Sequence, residues 1–77
     1  MINAFKRKRN EFIAKLIMLG FSPSGVQHGV LFLHINPDIS IEVNSLSEYM
    51  YIEMPHTGLM IRDDYDDALQ ILVQALE

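Results

Sequence analysis

Cysteine is absent from the 77 residues. With it go disulfide staples, thiolate zinc sites and any cysteine nucleophile. No apolar run approaches the roughly 20 residues that a bilayer-crossing helix needs. The apolar stretch nearest the start, residues 12–19, is interrupted by Lys15, so it lacks the continuity of a secretory signal and reads as amphipathic helix. The expected location is therefore the cytoplasm. Internal repeats, low-complexity tracts and linkers are also missing, and residues 1–77 read as one small domain. Cations become scarce after residue 20: Arg62 alone stands there against nine carboxylates, a local charge of −8. The first twenty residues hold Lys6, Arg7, Lys8, Arg9 and Lys15 against Glu11, a local charge of +4.

Apolar residues make up 49% of the chain, too many for a segment that stays disordered. Their spacing predicts a helix over residues 3–19, with Ile2, Phe5, Phe12, Leu16 and Leu19 on one stripe and Ile13 and Ile17 widening it. Asn3 is placed to cap its start and Gly20 to end it, with Pro23 barring resumption. Arg9 falls on the apolar stripe, where its stem can lie on apolar surface while its head reaches water. Residues 64–76 form a second amphipathic pattern through Tyr65, Ala68, Leu69, Leu72 and Leu76. The run Asp63, Asp64, Asp66 and Asp67 opens that helix, where Asp63 or Asp64 caps the start and the other carboxylates of the first turn meet the positive end of its dipole. Metal binding by these four is disfavoured, because their spacing matches no calcium loop and lacks its Gly and distal Glu.

Between the helices, residues 21–29 read as a Ser-, Gly- and Pro-rich loop, followed by strands over 30–35, 39–44, 48–54 and 59–62. The strand 39–44 alternates cleanly, with Ile39, Ile41 and Val43 on one face and Ser40, Glu42 and Asn44 on the other. That pattern marks a sheet with one face in the core. The expected fold class is α+β, in the order α-β-β-β-β-α: an antiparallel meander with both helices packed on one face. Loop lengths suggest a register. Loop 36–38 sets Leu31, Leu33 and Ile35 opposite Val43, Ile41 and Ile39; loop 44–47 sets Val43 opposite Glu48; loop 55–58 sets Met54 opposite Leu59. In that register the aliphatic face also collects Met50, Ile52, Met54, Leu59 and Ile61. The opposite face holds Phe32, His34, Tyr49, Tyr51, Met60 and Arg62 beside Glu42 and Glu53. Two helices spent on the aliphatic face leave nothing to cover the other, and exposed apolar surface of that kind marks an interaction site.

No catalytic constellation is present. His28, His34 and His56 fall on a loop, a strand and a turn, without the helical i, i+4 spacing of a metal pair. Ser22, Ser24, Gly25 and Gly29 lack the Gly-Lys-Ser/Thr ending of a phosphate loop. Glu42 and Glu53 share a face but have no pocket to separate their pKa values. The expectation is a protein without enzymatic activity, cofactor or metal, acting by binding another protein. Its candidate contacts are Phe32, His34, Tyr49, Tyr51, Met60 and Arg62. The partner is an unidentified protein, with a homodimer also expected; in a twofold pair Glu42 and Glu53 lie at the rim or meet Arg62 or His34 of the other chain. Small adaptors, secretion chaperones and inhibitors carried by phages or mobile elements use such an architecture, an analogy of fold alone. The alternative is a nucleic-acid binder working through Lys6, Arg7, Lys8 and Arg9; the acidic remainder of the chain opposes it.

Overall fold

A computed structural model describes residues 3–77. Ile2, placed on the apolar stripe of the first helix by its spacing, lies outside the described residues. Helix α1 spans Ala4–Leu19. The Asn3 side chain caps it by accepting from the Lys6 amide at 2.8 Å, and Gly20 closes it with its N–H on the Ile17 carbonyl at 3.0 Å. Helix α2 spans Tyr65–Ala75, capped by the Asp64 side chain, which accepts from the amides of Asp66 and Asp67. The acidic run thus supplies one cap and two carboxylates in the first turn, as dipole chemistry favours.

Five strands lie between the helices: β1 Ser22–Gln27, β2 Val30–Ile35, β3 Ile39–Asn44, β4 Met50–Met54 and β5 Gly58–Arg62. They form one antiparallel meander in sequence order. The α+β class and the meander are as expected, with one more strand than the composition suggested. β1 occupies the segment expected to be loop. It pairs with β2 through a two-residue turn at His28 and Gly29, and its six residues are all exposed. Pro23 is tolerated because β1 is an edge strand.

The core forms where α1 and α2 meet the aliphatic face. Leu16, Leu33, Ile41, Val43, Met50, Ile52 and Leu72 are fully buried there, with Phe12, Tyr65 and Ala68 beside them. The Phe12 and Tyr65 rings stack at 4.8 Å, joining the two helices. Ile17, expected to widen the stripe, is 49% exposed, since the stripe is carried by Phe12 and Leu16. Among the described residues no helix is long and apolar enough to cross a membrane.

The register departs from expectation at two hairpins. Between β2 and β3 it is as read from loop length: Ile35 faces Ile39 and Leu33 faces Ile41. Between β3 and β4 it moves by two residues, so that Val43 faces Met50 and Ile41 faces Ile52. The connection is longer because side chains hold its backbone: Asn44 Oδ1 accepts from the Leu46 amide at 2.7 Å and Ser47 Oγ from the Tyr49 amide at 3.4 Å. An even shift leaves both faces unchanged. Between β4 and β5 the shift is one residue, with Met54 facing Gly58 and Ile52 facing Met60. Gly58 takes φ +68, a left-handed conformation that closes the turn over residues 55–57 and is accessible to glycine at no steric cost. A single-residue shift exchanges faces. Met60 and Arg62, expected on the outer face, point to the helix side, and Leu59 and Ile61, expected in the core, point outward.

Candidate partner-binding surface

Residues directly opposed in an antiparallel ladder share a face, so the pairings define rows across the outer side of the sheet. One row runs Gly25, Phe32, Glu42, Tyr51, Ile61, and the next Ser22, His34, Ser40, Glu53, Leu59. Tyr51 is 40% exposed, Ile61 53% and Leu59 62%; Phe32 and Glu42 are half-buried. The helices take the opposite face, and nothing among the described residues covers this one.

Of the residues selected by sequence pattern, Phe32, His34 and Tyr51 are brought together on this face. Tyr49 is exposed but precedes β4, outside the ladder. Met60 packs against the core. Arg62 joins it on the helix side, where its Nε meets Asp67 Oδ2 at 3.2 Å and its guanidinium donates to the Ile61 carbonyl at 2.9 Å. Leu59 and Ile61 replace them. The signal that marks these two is Gly58, a turn-closing residue one position earlier than loop length suggested.

The electrostatics of the face follow from where the cations went. All six lysines and arginines lie on α1 or at Arg62, hence on the helix side. Glu42 and Glu53 sit diagonally on neighbouring strands, about 7–8 Å apart, with His34 as the one basic side chain nearby. No ion pair or hydrogen bond engages either carboxylate among the described residues.

The basic cluster of α1 is split. Lys6, Arg7 and Lys8 are exposed, whereas Arg9 is half-buried and donates from Nη1 to the Ser45 carbonyl at 3.1 Å. Its Nε is buried without a partner among the described residues, as is the Tyr65 hydroxyl. Burial, and next the Glu48 carboxylate, push the Tyr65 pKa up, while Arg9 pulls it down. A cleft of about 250 Å³ between the helices is lined by Lys8 and Lys15 but also by Glu11, Glu48, Asp64 and Asp66, so its opposing charges leave no field of one sign. Among the described residues no cluster of His, Asp and Glu could hold a metal ion. No protein-family model, no curated protein and no solved structure matches this chain.

Proposed function

We propose that this chain is a non-enzymatic protein-binding module, a small regulator, adaptor or inhibitor working in the cytoplasm through the outer face of its sheet. The observation that carries the reading is the uncovered set Phe32, Tyr51, Leu59 and Ile61 on the side opposite both helices. Aromatic residues and aliphatics gathered on one open face are the composition of contact surfaces. A second copy remains one candidate partner. It has lost the countercharge expected for it, since Arg62 lies on the other side, and twofold pairing of this face would bring four carboxylates together with only His34 to oppose them. Those charges favour a different protein.

The test is capture from the source cell by the immobilised intact chain beside a chain carrying Phe32→Ala and Tyr51→Ala. Both positions lie off the core, so circular dichroism of the variant should match that of the parent. A protein retained by the parent and lost by the variant supports the reading; equal retention by both removes the outer face as the contact surface.

A further inference from the structure

We propose that the row Phe32, Glu42, Tyr51 accepts an arginine side chain of a cationic protein partner. The inference rests on the outer face being the contact surface and specifies what that surface binds.

Three observations lead to it. First, Glu42 stands directly opposite Phe32 on one side and Tyr51 on the other. A carboxylate with an aromatic ring one strand spacing away on each side, about 4.8 Å, combines the two groups that a guanidinium engages. Its edge donates two parallel hydrogen bonds to a carboxylate, and its faces stack on aromatic rings. Second, the described residues supply no such partner: every Lys and Arg belongs to α1 or is Arg62, which pairs with Asp67 on the helix side. Glu42 is half-buried beside Phe32 and Tyr51 and has no ion-pair partner among the described residues, an arrangement that a cation from outside relieves. Third, the surroundings extend the match. Glu53 offers a second acceptor on the adjacent strand, and Leu59 and Ile61 offer apolar surface at the ends of both rows. An alternation of basic and aliphatic residues in the partner fits this layout. Nucleic acid does not, because two carboxylates face where phosphates would lie.

Lysine is a poorer fit. Its ammonium is a strongly hydrated point charge that cannot form the paired hydrogen bonds or stack as a plane. The distinction gives a readout that general charge attraction does not move.

The experiment is a titration of the ¹⁵N-labelled 77-residue chain, followed by amide shifts, with a short capped peptide of alternating arginine and leucine. The same peptide with lysine in place of arginine, a short single-stranded oligonucleotide and the Glu42→Gln variant complete the set. The expected result is saturable shifts centred on the amides of Phe32, Glu42 and Tyr51. Binding should be roughly tenfold or more weaker for the lysine peptide and for Glu42→Gln, as loss of a charge-assisted hydrogen bond implies. Equal affinities for both peptides, or an unchanged affinity in Glu42→Gln, overturn the arginine site while leaving the outer face as a contact surface. Shifts confined to α1 and the start of α2 overturn the arginine site and count against the outer face as well. Absence of saturable binding, or saturable shifts of these amides with the oligonucleotide instead of the arginine peptide, overturns the proposal. Glu42→Gln is near-isosteric and lies off the core, so its unperturbed amides report that the fold is intact.

Discussion

Tyr65 carries a buried hydroxyl with no hydrogen-bond partner among the described residues, and Arg9 Nε beside the same helix pair is in the same state. A buried polar atom without a partner costs about 1–3 kcal/mol. The ring itself is well used, stacked on Phe12. Tyr65→Phe keeps the stack and removes the orphan, so it should stabilise the chain by about 1 kcal/mol in urea denaturation; a loss of stability would mean that the hydroxyl has a partner in solution. The same residue sets an alkaline limit. Its folded pKa lies above the ordinary tyrosine value, from burial first and the Glu48 carboxylate second. Above pH ~10 the unfolded chain has released this proton and the folded chain has not, so the folded state binds more protons and stability falls as pH rises. Below that pH the contribution is complete. In Tyr65→Phe the alkaline limb of the stability profile should flatten.

At the scale of elements, β1 is the one to understand, because it adds nothing to the core. It is held by pairing with β2 across His28 and Gly29, both at positive φ, +53 and +76. Two such residues in a two-residue loop match the right-handed twist of a hairpin, which makes Asn-Gly the preferred pair there and His-Gly a tolerated one. A Cβ on Gly29 would also come within 2.9 Å of Ser45 Oγ. Gly29→Ala should therefore lower stability by about 1 kcal/mol or more, and His28→Asn should raise it by a few tenths, both read from thermal melts. Amides of β1 should exchange faster than those of β3 in the parent. This hairpin was illegible from composition because Ser, Pro and Gly spoke for loop, and an edge strand exposed on both faces shows no alternation to contradict them. The alternating Ile39, Ile41 and Val43, the helix cap at Asn3 and a second cap within the run that opens at Asp63 were legible because burial and capping leave local marks; which aspartate caps was not. The face of β5 was not: one turn residue, Gly58, decides it, and loop length alone cannot say at which residue pairing resumes. Hence the sequence placed Phe32, His34 and Tyr51 on the outer face where they lie, while it assigned Leu59 and Ile61 to the core.

For the whole molecule, the distribution of charge over two sides bears on association: the outer face carries carboxylates without lysine or arginine, and the helix side carries both signs. The helix side holds every lysine and arginine, and the outer face holds Glu42 and Glu53. Two copies that approach through their outer faces meet like charge, whereas Glu42→Gln with Glu53→Gln removes the repulsion and leaves the aromatic and aliphatic rows intact. Sedimentation equilibrium at micromolar concentration should show the parent as a monomer and the double variant shifted towards dimer. A parent that is already dimeric would place a second copy on this face. The basic stretch of α1 is reduced to Lys6, Arg7 and Lys8 by the inward turn of Arg9, on a chain of net charge −4. Phosphate contacts dominate affinity for nucleic acid, so an anisotropy titration with duplex or single-stranded oligonucleotide should show no binding at about 50 mM salt.

The free border of β1 is irregular. Pro23 offers no amide hydrogen, and the register shifts between Pro23 and Gly25, with Ser24 as the additional residue; the Ser24 hydroxyl turns back to donate to the Phe32 carbonyl at 3.2 Å. A regular strand in that position, bare on both faces, would be a seed on which identical chains could stack without limit. The broken ladder denies the next chain a continuous set of donors and acceptors, which weighs against pairing along this border. Edge-to-edge stacking by this route is disfavoured, although the adjoining outer face of the sheet is open and partly apolar.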